Sequence, residues 1–157
     1  MANTYTQIYI QIVFAVQDRQ SLLPKEHRPD LFKYITGIVK NRGQKLIAIN
    51  GTANHVHILV GMKPNIALSD IVRDVKAGSS GFINEQRWLR VKFHWQEGFG
   101  AFSYAHSDIG RVAQYIQHQE EHHRVKTFNE EYTDMLKAFM VEYDKQYIFN
   151  SVPDIDL

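Results

Sequence analysis

Two short apolar runs, QKLIAIN (44–50) and HVHILVGM (55–62), meet around NGTAN, where Asn50-Gly51 is a hairpin signal. A helical period flanks this pair on both sides. Upstream, KEHRPDLFKYITGIVKN (25–41) sets Leu31, Tyr34, Ile35 and Ile38 at helical spacing, with Pro24 and Pro29 punctuating the entry. Downstream, residues 67–84 place Leu68, Ile71, Val72 and Val75 on one stripe, with Gly78 and Gly81 weakening the second half. Beyond each helix lies another β-rich stretch. YTQIYIQIVFAV (5–16) alternates loosely, and KFHWQEGFGAFSYAH (92–106), broken by Gly98 and Gly100, carries a strand at one or both ends. The order β-α-β-β-α-β is the split βαβ, ferredoxin-like plan: an α+β fold with an antiparallel sheet and its helices on one face. Two more helices follow, one capped by Ser107 or Asp108 and running to about Arg124, the last over about 128–145.

The 157 residues suit one domain, 1–157, with a core of about 1–125 and a C-terminal helical part of about 126–157. Cysteine is absent, which excludes disulfide and thiolate chemistry. No apolar run reaches the roughly 20 residues that cross a bilayer, and MANTYTQIYIQ is unlike a signal peptide, so a cytoplasmic protein with no membrane partner is expected. Net charge is +1, yet residues 1–92 hold thirteen Lys/Arg against six Asp/Glu, whereas 127–157 hold two Lys against seven acids. Such an asymmetry permits a polyanionic partner and is equally met by ordinary solvated faces.

His55 and His57 are two apart on a strand, so they share one face while Val56, Ile58 and Val60 point to the other. Paired imidazoles repel when both are charged, and a divalent metal removes the conflict by binding the neutral forms. Two hydrogen-bonded or solvent-facing histidines satisfy the same pattern. A metal also needs a third donor, from an element covering that face. Asp108, His118, Gln119, Glu120 and His122 all lie in or near the helix SDIGRVAQYIQHQEEHHR.

In that helix Ile109, Val112, Ala113 and Ile116 form the buried stripe, and Arg111, Tyr115 and Gln119 run beside it at four-residue spacing. Tyr115 is either a half-buried anchor or an oxygen nucleophile, the latter requiring a cation to stabilise its phenolate. The Gln119 carbonyl could join His55 and His57 on an ion. Three neutral ligands would leave its charge near +2, able to polarise a phosphodiester. Imidazole with hard oxygen donors points to Mg²⁺ or Mn²⁺, with zinc ranked behind.

Taken together, HVH (55–57), DVKAGSSGFIN (74–84), WQEGFGAFSYAHS (95–107) and YIQHQEEHHRVKTFNEEY (115–132) resemble the single-tyrosine HUH transposases of bacterial insertion sequences, the insertion-sequence-200 type, with their REP-associated tyrosine transposase relatives. The resemblance covers nearly the whole chain. Position by position it makes His55 and His57 the paired metal ligands, Tyr115 the nucleophile and Gln119 the third ligand. It implies cleavage and rejoining of single-stranded DNA at hairpin-bearing ends. A 5′-phosphotyrosine link and a free 3′-OH would be the intermediates. It also implies a homodimer, often with the histidines of one subunit facing the tyrosine helix of the other.

Arg73, Lys76 and Arg111, with Ser79 and Ser80, could contact phosphates, or sit on solvated faces. Trp95, Phe99, Phe102 and Tyr104 suit packing better than base stacking, and His118, His122 and His123 suit a solvated face better than a second metal tract. Three alternatives compete with mobilisation of an element. A domesticated relative would process chromosomal repeat hairpins by the same chemistry. A ferredoxin-like nucleic-acid-binding module would bind hairpins without forming an adduct. A metal-dependent hydrolase would cut with activated water.

Overall fold

The structure, a computed structural model, describes residues 3–144. Its four strands are β1 (Tyr9–Ala15), β2 (Lys45–Gly51), β3 (His55–Gly61) and β4 (Gly100–Tyr104). They form one antiparallel sheet in the order β2-β3-β1-β4. Between them run α1 (Arg28–Asn41) and α2 (Leu68–Gln86), and after β4 come α3 (Ile109–Gln117), α4 (Gln119–His123) and α5 (Phe128–Ala138). The expected βαββαβ plan is therefore present.

Strand periodicity divides the sheet into two unlike faces. Ile12, Phe14, Val56, Ile58 and Val60 join Leu31, Ile35 and Val39 of α1 and Ile71, Val72 and Val75 of α2 in the principal core. The reverse face carries Gln11, Val13 and Ala15 of β1 beside Leu59, His57 and His55 of β3, paired in that register. Val112 and Ile116 of α3 pack onto Ala48 and Leu59 there, while Phe128 and Leu136 of α5 pack onto Val13, Ala15 and Phe102. Helices thus cover both faces, α1 and α2 on one, α3 to α5 on the other.

Several boundaries differ from the sequence reading, each for a local reason. The β2–β3 connection is Thr52-Ala53-Asn54, so Asn50-Gly51 closes the strand rather than forming a two-residue turn. α2 runs unbroken through Gly78 and Gly81 to Gln86, and Gly78 lets α1 come close, since a Cβ there would meet Ile38 Cδ1 at 2.7 Å. The far end of 92–106 is β4, while its near end contributes only the bridge of Trp95 to Val16. Asp108 holds the N-cap position of α3, but its side chain makes no capping hydrogen bond. A 3-10 turn, His106–Asp108, leads into it, and Asp108 instead lies 3.6 Å from Arg111. The 108–124 helix is broken at His118. The last helix begins on a Thr127 cap, whose hydroxyl accepts from the Glu130 N–H at 3.2 Å, and stops at Ala138. Its expected end at 145 lies outside the described residues. Among those residues no helix is long and apolar enough to cross a membrane.

Candidate active site

His55 and His57 are wholly buried on the α3–α5 side of β3, their rings 5.1 Å apart and nearly perpendicular. Opposite them on β1 stand Ala15 and Val13, side chains small enough to leave room for both imidazoles. The hairpin fixes His55 from behind. The Thr52 N–H donates to the His55 carbonyl at 3.0 Å, and a Cβ on Gly51 would overlap that same carbonyl oxygen. Because the obstacle is backbone, it cannot swing aside. Gly51→Ala should therefore cost about 1–3 kcal/mol and shift His55. Urea unfolding reads the loss, and an unchanged midpoint would refute this role.

Hydrogen bonds orient both rings. His55 Nδ1 lies 2.8 Å from Asn54 Oδ1, an oxygen that also accepts from Thr52 Oγ1 at 3.2 Å. A proton on Nδ1, which also has Thr52 Oγ1 at 2.9 Å, satisfies this oxygen and leaves Nε2 a lone pair facing inward. His57 Nδ1 lies 2.9 Å from the Gln11 amide, and the Tyr104 hydroxyl donates to Gln11 Oε1 at 2.8 Å. A half-turn of that amide exchanges donor and acceptor, so Gln11 can serve either His57 tautomer.

The helices deliver the remaining groups. Ile116 and Val112 anchor α3 on the sheet, which leaves Tyr115 half-buried on its flank. At the break, Asn50 Nδ2 of β2 takes the Gln117 carbonyl at 2.9 Å, while the Gln114 carbonyl keeps the His118 N–H at 3.1 Å and also accepts from His118 Nδ1 at 2.7 Å. The bend turns Gln119 inward, where it is fully buried with Oε1 3.0 Å from His55 Nε2.

At the centre sits Glu131 of α5, 4 % exposed. Its Oε1 lies 2.9 Å from His57 Nε2, 3.7 Å from His55 Nε2 and 3.3 Å from His123 Nε2. Its Oε2 accepts from the Tyr115 hydroxyl and from Gln119 Nε2, the latter at 3.3 Å. Phe128 stacks on His55 at 4.3 Å and closes the site from above. Tyr115 also stacks on His122 at 4.4 Å, and opens into a cleft of ≈ 690 Å³ walled by Tyr104, Arg111, Lys126 and Met135.

Burial, with His57 adjacent, holds the His55 imidazole well below the ordinary histidine range. Burial raises the Glu131 carboxyl, but hydrogen bonds from His123 and His57 outweigh it and hold the group far below the usual carboxylate range. Burial, and then Glu131, raises the Tyr115 phenol, so it is not ionised at neutral pH. In chelator-treated protein both His55 and Glu131 should weaken the fold in acid. Below about 6.5 the unfolded chain protonates His55 while the folded chain does not, so stability falls as pH drops through that value. Glu131 contributes fully above its unfolded value of 4.5 and loses that contribution as pH falls below it. Each group costs up to about 1.4 kcal/mol per pH unit. A urea midpoint that stays flat from pH 7 to pH 5 would contradict a buried neutral His55.

The structure thus brings His55, His57, Tyr115 and Gln119 together within one chain. Arg111 lines the adjoining cleft. Arg73 and Lys76 are elsewhere, on α2 across the sheet. Arg73 pairs with Asp70 and Asp74, each at 3.3 Å, while the Lys76 ammonium donates to the Gln96 and Gly98 carbonyls. Burial lowers Lys76 to about 8. Trp95 and Phe102 are core residues. Sequence reasoning missed Glu131 and Gln11, and it read His123 as part of a solvated face. The signal for Glu131 was available: it falls on the stripe Phe128, Tyr132, Met135 and Leu136, where a carboxylate has no place without a partner.

An open antiparallel sheet that presents paired imidazoles to a helix-borne phenol defines the class. The family model described as "Transposase IS200 like" matches residues 4–119, and the chain belongs to that family. A Deinococcus radiodurans R1 chain assigned as a transposase aligns with a TM-score of 0.62 at 19% identity, covering 76% of this chain and 95% of that one. The REP-associated tyrosine transposase bound to a REP hairpin aligns with a TM-score of 0.58 at 16% identity, covering 100% of this chain and 93% of that one. At such identities the likeness is one of fold. No curated protein matches the sequence.

Proposed function

We propose that this transposase cleaves and rejoins single-stranded DNA at hairpin-bearing ends, with Tyr115 as nucleophile and His55, His57 and Gln119 holding Mg²⁺ or Mn²⁺. The observation that carries the reading is the convergence of phenol, imidazoles and amide on one buried point. The donor chemistry suits a cation. His55 Nε2 lies 3.0 Å from Gln119 Oε1, and Gln119 is oriented that way by its Nε2 donating to Glu131; with the His55 proton on Nδ1, both atoms offer lone pairs to an ion. Neighbouring donors on a six-coordinate ion with bonds of ~2.1 Å lie about that far apart.

In the proposed step the Tyr115 oxygen bonds to the scissile phosphorus, the bond from phosphorus to the 3′-oxygen breaks, and that oxygen takes up a proton as a free 3′-OH. The phenol gives its proton to solvent as it attacks, matching the proton that the departing 3′-oxygen takes up, so the step is balanced. The 5′-phosphotyrosine conserves the bond energy, so a later 3′-OH can rejoin the strand by the reverse chemistry. Glu131 Oε2 orients the phenol; held so far below its usual range, the carboxylate is a poor proton acceptor. Tyr104 and Gln11 keep His57 facing inward, and Asn54 does so for His55. A bound divalent ion supplies polarisation of the phosphate and charge for the nascent phenolate.

Arg111, at the mouth of the cleft, is the proposed phosphate contact nearest the reaction, with Arg73 and Lys76 as more distant ones. A homodimer and a cytoplasmic location complete the reading. The fold shared with a transposase that binds a REP hairpin supports hairpin DNA as substrate, and it leaves mobilisation and repeat processing as the two host roles. The test is to incubate the protein with labelled single-stranded ends and Mn²⁺, then separate the products on a denaturing gel. A covalent adduct lost on chelation is expected. Cleavage with no adduct would favour an activated-water hydrolase, and hairpin binding without cleavage a non-catalytic module.

A further inference from the structure

We infer that Glu131 is a fourth protein ligand of the ion, supplying the anionic donor that the other three lack. The inference rests on the metal site proposed above and extends it to a residue of α5.

Two independent observations carry it. The first is position. One donor atom from each of His55, His57 and Glu131 falls within a 4.8 Å span, and all three residues are buried. Glu131 Oε1 is the atom that faces both imidazole Nε2 atoms. The second is charge. Glu131 is 4 % exposed, and its polar partners are His57, His123, Tyr115 and Gln119. None of these bears an obligatory charge, as Lys or Arg would. A carboxylate taken out of water is paired, hydrogen-bonded or bound to a metal, and a divalent ion held by three neutral groups leaves positions that an anion can take. One contact satisfies both. Because Oε2 holds the Tyr115 hydroxyl while Oε1 faces the ion, the same carboxylate sets the distance between nucleophile and metal.

The experiment is Mn²⁺ titration calorimetry on chelator-treated protein, comparing wild type, Glu131→Gln and His57→Ala. Glutamine keeps the shape and the oxygen but removes the charge. Both variants should bind Mn²⁺ at least about 10-fold more weakly than wild type, and the glutamate carboxylate stretch of ¹³C-glutamate wild type should shift when Mn²⁺ is added, which a merely orienting Glu131 would not produce. Wild-type affinity in Glu131→Gln with weak binding in His57→Ala overturns the ligand role and leaves the metal site standing; an imidazolium would then be the carboxylate's countercharge. Wild-type affinity in both variants overturns the metal site itself. Should Glu131→Gln fail to fold, the infrared difference spectrum of ¹³C-glutamate wild type with and without Mn²⁺ decides. A shifted glutamate carboxylate stretch supports the inference, and its absence overturns it.

Discussion

Tyr115→Phe is expected to abolish the covalent protein–DNA adduct and to lower cleavage at least about 10³-fold, while hairpin binding survives. Only the hydroxyl is removed. The ring keeps its stack on His122 and its place beside Val112 and Ile116, so the fold should hold. Glu131 Oε2 loses one donor and keeps Gln119 Nε2. Any stability change should stay within about 1 kcal/mol, the net worth of one hydrogen bond. A denaturing gel and a melting curve on the same preparation separate the two effects. A variant that still formed the adduct would move the nucleophile to another residue.

His57→Ala should act on chemistry and fold together. Cleavage is expected to fall at least about 10²-fold, because the proposed metal ligand and the group facing Glu131 at 2.9 Å vanish at once. The fold should lose about 2–4 kcal/mol, from the cavity left by a fully buried ring and from the weakened satisfaction of a buried carboxylate. Cleavage assays across Mn²⁺ concentrations and urea unfolding read the two. Full activity in the presence of chelator would remove the ion from the account.

The sheet was legible in the sequence because its signals are local. Period-two alternation in HVHILV assigned Val56, Ile58 and Val60 to one core and the histidines to the opposite face, as the register bears out. The four-residue spacing of Tyr115 and Gln119 placed both over that face, although Tyr115 lies on α3 and Gln119 on α4, across the break at His118. What stayed hidden depends on contacts between distant segments. The break at His118 arises partly from Asn50, which takes the carbonyl of Gln117, 67 residues further along the chain, and no helical propensity encodes it. Glu131 enters the site only because Phe128 and Leu136 seat α5 on Val13, Ala15 and Phe102. His123, read as part of a solvated tract, is drawn in by the same packing and lies 3.3 Å from that carboxylate. Lys76 looked like a phosphate contact because charge and neighbouring serines are visible in sequence. The carbonyls of Gln96 and Gly98 that occupy its ammonium are not.

Anomalous diffraction at the manganese edge, from crystals of Tyr115→Phe grown with Mn²⁺ and a single-stranded hairpin end, tests the proposed centre most directly. The account predicts one strong peak within ~2.3 Å of His55 Nε2, His57 Nε2 and Gln119 Oε1, with a phosphate oxygen on the side facing residue 115. Manganese bound elsewhere, with the histidines and Gln119 still in mutual contact, would contradict it.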